Sequence, residues 1–200
     1  QLMPRSPEHN EIIRTARRDE IFRAAGRVFA KKGFAATKIA DIAAEAGLSH
    51  GLLYHYFSSK EAVYTALLEE LVLKKPSREE LVGDARTGIE RLERTLGRWL
   101  EHVTDRPELG VLVAQAFLAD TLPTATRQAF LRFARNGLRD LVADLEAAQR
   151  EGDVTRDVPA DELALALISM IRGLSLVRFA YAAVSPIHAT PSLETVLRLV

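Results

Sequence analysis

The 200-residue chain has no cysteine, which removes disulfide frameworks and thiolate metal sites from consideration and agrees with a reducing, cytoplasmic setting. Strand-like alternation rich in β-branched residues is missing, as are internal repeats and low-complexity tracts, so helices are left to build the fold. There is no Gly-rich phosphate loop, no nucleophile beside a matched base and no ligand cluster at metal spacing. An enzyme is therefore not expected, and neither a cofactor nor a metal is called for. The nearest approach to a metal pair, His50 and His55, is five residues apart and points two ways, whereas H-x-x-x-H would share one helix face. Net charge is absent too, with 27 basic against 27 acidic side chains. The opening "QLMPRSPEHN" lacks the apolar run of a targeting peptide, and residues 1–10 read as a frayed leader.

What is present is a 48% hydrophobic composition, enough for one long domain or two modest ones. The charges are unevenly placed. Residues 1–60 carry ten Lys or Arg against six Asp or Glu, and the remainder carries seventeen against twenty-one. A basic head on an acidic body points to an anionic partner for the head.

Helical periodicity then divides the head. Ile21, Ala25, Val28 and Phe29 recur at helical spacing, and that helix ends near Gly33. Ile39, Ile42, Ala43 and Ala46 share a face of a second, short helix, which Gly47 terminates. Ser49 is placed to cap a third, with Leu52, Leu53 and Phe57 inward, and Ser58 with Glu61 forms a capping box for a fourth. Two short helices across a glycine turn make a helix-turn-helix, whose second member enters a DNA major groove. On its outer face "SHGLLYHYF" gathers His50, Gly51, Tyr54 and His55: hydrogen-bonding rings around a residue with no side chain, suited to phosphates and base edges. Lys60 adds a cation beside the strand.

Over roughly residues 15–70, "TKIADIAAEAGLSHGLLYHYFSSKEAVYTALL" resembles the TetR family of bacterial transcriptional regulators, through its Gly-Leu-Ser turn, its Leu-Tyr-His-Tyr-Phe run and its Ser-Lys-Glu. The resemblance implies a homodimer that binds a palindromic operator in double-stranded DNA, with a small-molecule effector held in the C-terminal domain. It also implies that Thr37 caps helix two against a phosphate, that Tyr54 and Tyr56 touch backbone, and that Lys60 sits by a phosphate. His50, Gly51, Leu52 and His55 fall where the family reads bases, and Lys38 and Ser49 complete the DNA-facing set. This chain departs from similar proteins in carrying His50 where Lys is frequent and Ala40 where a longer base-reading side chain can stand.

The all-α expectation is thus an N-terminal DNA-binding domain over 11–75 and a larger helical ligand-binding and dimerisation domain over 76–200. Pro76 breaks the chain, and Ser77 with Glu80 opens a long fifth helix running from Leu81 through Val103. Pro107 and Pro123 suit the first turns of two more. The segment from 151 to 184 is apolar enough to suggest a membrane span, against which Arg172 and Arg178 argue; no membrane partner is expected. Ser169, Gly173, Leu176, Ala180 and Ala183, with Leu193 and Leu197, are instead expected at a helical dimer interface. Trp99, His102, Phe117, Phe130, Phe133, Met170 and Phe179 are candidates for an apolar effector pocket, with His102 or Arg172 to orient a polar group. Two other readings compete: a helical carrier of hydrophobic molecules, and a DNA-organising protein with the same head and no inducer.

Overall fold

The computed structural model describes residues 7–73, 76–118, 122–182 and 190–198. Ten α-helices and no strand occur among the described residues, and the chain divides into two compact units, Gln1–Glu70 and Leu71–Val200.

The first unit holds α1 (Pro7–Ala36), α2 (Ile39–Glu45), α3 (His50–Tyr56) and the start of α4 (Lys60–Leu73). Helix α1 begins inside the stretch expected to be a leader; a proline with its fixed φ suits a first helical turn. Gly33, at φ 74°, breaks it where the periodicity ends. Ile21, Ala25, Val28 and Phe29 are all buried, joined by Phe22 and by Val63, Tyr64, Leu67 and Leu68 from α4. The Tyr64 ring lies 4.9 Å from both Phe29 and Phe34, and burial pushes its phenol above the usual range.

The second unit holds α5 (Arg78–Val82), α6 (Gly88–Asp105), α7 (Pro107–Leu118), α8 (Thr124–Glu151), α9 (Ala160–Tyr181) and α10 (Leu193–Leu197). The long fifth helix expected from Leu81 to Val103 is therefore two. Gly83 takes a positive φ of 53°, and a second capping box starts α6: the Thr87 hydroxyl accepts from Glu90 N–H at 3.3 Å, while the Glu90 carboxylate accepts from Thr87 N–H at 3.2 Å. At that start α6 crosses α8 without clearance. A Cβ on Gly88 would overlap the backbone of Ala147 and Ala148, and the Gly88 N–H donates to Glu151 at 2.6 Å.

Leu92, Leu96 and Leu100 of α6, Leu141, Leu145 and Ala148 of α8, Leu163, Ala164 and Leu167 of α9 and Val196 of α10 form one core cluster. Beside it Asp144, 1% exposed, takes hydrogen bonds from Arg78 at 2.6 Å and Arg91 at 2.7 Å, pinning α5 and α6 to α8. Helix α9 is long and apolar enough to cross a membrane by length and composition alone, yet its Leu163, Ala164 and Leu167 are buried in this core.

Candidate nucleic-acid interface and effector region

Helix α3 is fixed from both ends. Gly47, at φ 65°, makes the turn that a side chain would strain, and the Ser49 hydroxyl accepts from Leu52 N–H at 3.2 Å. Leu53, fully buried, and Phe57 anchor it to the core; burying one such side chain stabilises by about 1.5–3 kcal/mol. Leu52, expected inward, is instead 40% exposed and joins His50, Gly51, Tyr54 and His55 on the open face. Tyr56 is half-buried. The rings stand in two edge-to-face pairs: His50 on Tyr54 at 4.8 Å between centroids, His55 on Tyr56 at 5.7 Å. Each histidine is thereby oriented by a tyrosine on its own helix.

Around α3, two side chains lie differently from expectation. Thr37 is buried and its hydroxyl donates to the Gly33 carbonyl at 2.7 Å; the N-cap of α2 is Lys38, whose N–H donates to the Asp41 carboxylate at 2.9 Å. Thr37 therefore seals the end of α1 while Lys38, exposed, stands at the head of α2. The Lys60 ammonium donates to the carbonyls of Phe34 at 3.0 Å, Ala35 at 3.1 Å and Thr37 at 2.9 Å, and lies 4.7 Å from the centre of the Phe34 ring. All three of its N–H donors are used within the fold. The cap of α4 is Ser59, accepting from Ala62 N–H at 3.2 Å, one residue later than expected.

Several groups here escaped sequence reasoning. Arg27 pairs with Glu45 at 2.6 Å and Lys32 with Asp41 at 2.8 Å, so cations of α1 meet both acids of α2. The Lys32 ammonium and then the Lys38 N–H hold the Asp41 carboxyl below its usual range. Arg18 covers the rings of Phe22 and Phe57, at 5.1 and 5.5 Å. Alternating charge along α1 signalled cations, but not which acids they would meet across a turn.

In the second unit, three of the seven pocket candidates come together. Phe117 and Phe130 stack edge to face at 4.9 Å, and Phe130 and Phe133 lie 6.5 Å apart. Phe130 is fully buried, Phe133 half-buried and Phe117 38% exposed. Trp99 and Met170 pack instead on the periphery of the core cluster, while His102 and Phe179 are half-buried. Of the residues expected at a subunit interface, Ser169, Gly173, Leu176 and Ala180 line the exposed face of α9. Leu193 and Leu197 are half-buried against their own core, and Ala183 lies outside the described residues.

The helix-turn-helix and the helical body each match a family model. Residues 21–67 match the bacterial regulatory proteins of the tetR family, and residues 88–190 match the tetracyclin repressor-like C-terminal domain. The chain belongs to the TetR family. YerO of Bacillus subtilis, an HTH-type transcriptional regulator, is 32% identical over 153 residues, covering 67% of this chain and 52% of its own. The repressor SCO4008 of Streptomyces coelicolor is 30% identical over 159 residues, 78% of this chain and 76% of its own. The match thus spans about half the length of YerO but three quarters of SCO4008. The ketosteroid transcriptional regulator KstR2 of Mycobacterium tuberculosis shares the fold, with a TM-score of 0.66 at 23% identity over 92% of this chain and 88% of its own. These relatives are helix-turn-helix transcriptional regulators, not enzymes.

Proposed function

We propose that the protein is a ligand-responsive repressor that acts in the cytoplasm, binds a palindromic operator as a homodimer and is released by a small hydrophobic effector. The observation that carries this reading is the exposed face of α3, where His50, Gly51, Leu52, Tyr54 and His55 stand clear of a core that fixes the helix through Leu53. No acidic side chain interrupts that face. A helix so presented enters the major groove, its tip at base edges and its flanks at phosphates. Lys38 at the head of α2 supplies a cation for the backbone.

A dimer is supported by α9, whose exposed face between Leu165 and Ala180 offers Leu165, Ser169, Gly173, Leu176 and Val177 without one charged group. An apolar stripe of this length on a two-sided helix suits a symmetric contact with its own copy. Two heads would then read half-sites about 34 Å apart, so an effector that changes their spacing weakens both contacts together. The aromatic trio of Phe117, Phe130 and Phe133 favours an apolar effector.

Selection from random duplexes with purified protein at near-physiological salt is the test. An enriched inverted repeat is expected; retention without enrichment would favour a DNA-organising role, and no retention would favour a carrier of hydrophobic molecules.

A further inference from the structure

Burial along the inner sides of α8 and α9 is interrupted. In α9, Leu163, Ala164 and Leu167 are buried, but beyond them Ile171, Leu174 and Arg178 on the same face are only half-buried. In α8 the inward stripe of Leu141, Asp144, Leu145 and Ala148 is buried, as are Thr126 and Phe130 nearer the N-terminus, whereas Phe133, Ala134 and Gly137 between them are half-buried. Gly137 sits on that inward stripe, four residues from both Phe133 and Leu141, yet a Cβ built on it meets nothing within 4 Å. The helices are packed tight on either side of this stretch, with α7 and α9 so close that a Cβ on Gly110 would overlap Ser175, and they leave room beside Gly137.

Arg172 of α9 is half-buried in the same unit. Its guanidinium lies 5.4 Å from the centre of the Phe117 ring and has no carboxylate or carbonyl partner among the described residues. Neither α7 after Glu108 nor α9 after Glu162 carries an acid, and Glu108 is engaged by Arg106 at 3.2 Å. Partial burial pulls the guanidinium below its ordinary range. A guanidinium in that position is costly until an anion meets it, and its planar fork matches a carboxylate through two parallel hydrogen bonds.

We propose that the C-terminal unit binds an amphipathic organic anion, with its apolar part against Phe117, Phe130 and Phe133 and its carboxylate on Arg172. The proposal rests on the effector-binding reading above and specifies the chemical class of that effector. Arg172 selects for charge and the rings select for apolar bulk.

Calorimetric titration of the native protein without DNA, using decanoate and its neutral counterpart decan-1-ol, tests the site. Decanoate is expected to bind roughly tenfold or more tightly than the alcohol, an increment in keeping with a charge-assisted pair. Arg172→Gln should abolish that preference while still binding the alcohol, and Arg172→Lys should restore part of it. Arg172→Met should raise the melting temperature of the ligand-free protein, because it replaces an unmatched cation with an apolar chain. Failure of native protein to bind decanoate, an undiminished preference in Arg172→Gln, or a lowered melting temperature in Arg172→Met would each overturn the assignment. Adding decanoate to the selected operator complex separates the two claims: binding without any loss of operator affinity keeps the anion site and rejects the release model.

Discussion

Lys60 shows how a single side chain can carry a charge without offering it to a partner. Its three hydrogen bonds gather the carbonyls at the end of α1, just before the cap of α2, and so set where Lys38 and the head of α2 stand. Lys60→Met is expected to destabilise the N-terminal unit by about 1–3 kcal/mol and weaken operator binding, while leaving the slope of log affinity against log salt unchanged. Lys38→Ala should do the reverse, with little loss of stability and a slope reduced by about one. Salt titrations of both variants on one operator decide the matter, and a flattened slope in Lys60→Met would place that ammonium on a phosphate after all. His50→Ala should shift which bases are enriched in a duplex selection more than it lowers affinity for random DNA. The ring cluster of α3 and its cap at Ser49 were legible because helix periodicity and capping act within a few residues. The destination of Lys60 was not, since its acceptors lie 23 to 26 residues upstream and no local pattern announces them. Thr37 was misread for the same reason: its hydroxyl turns back to Gly33 instead of forward to α2.

At the scale of the element, close crossings and open faces divide the helices of the second unit. Gly88 meets the α8 backbone with no space for a side chain, so Gly88→Ala should cost about 1–3 kcal/mol, read as a lower urea midpoint with an unchanged slope. Gly97, on the same helix, would bring an added Cβ only into ordinary contact with Leu193 at 3.7 Å, and Gly97→Ala is the matched control. Leu176→Glu should leave helix content intact, convert dimer to monomer in sedimentation and abolish tight operator binding; a dimer that survives it would move the interface off this face. Here too the sequence was partly transparent. The apolar character of α9 and the small residues on its outer face were visible, but the break between α5 and α6 was passed over although Thr87 and Glu90 carry the same S/T-x-x-E signature recognised at Ser77 and Glu80. A continuous run of apolar spacing outweighed Gly83 in the reading, while in the fold the left-handed glycine and the second cap prevail. Leu193 and Leu197 show the converse limit: an amphipathic segment announces that one face is covered, but not whether its own subunit or another covers it.

At the scale of the whole molecule the chain is two cores of different character. The N-terminal one is aromatic and closed by α1 and α4; the C-terminal one is aliphatic, ringed by a buried arginine–aspartate pin at Asp144, and loosens around Gly137. Its all-helical class followed from composition and periodicity. The loose packing around Gly137 did not, because it is a matter of which half-turns lack neighbours. The same partition has an optical consequence. The single tryptophan, Trp99, packs on the C-terminal core, whereas Tyr54, Tyr56 and Tyr64 all lie in the N-terminal unit. Tryptophan emission excited at its red edge should therefore follow denaturation of the C-terminal unit alone. Far-ultraviolet dichroism, which weighs every helix, should trace a separate transition if the N-terminal unit melts independently. Two non-coincident curves from one unlabelled sample would measure the stability of reader and body separately, and Lys60→Met should move only the transition to which the indole is blind.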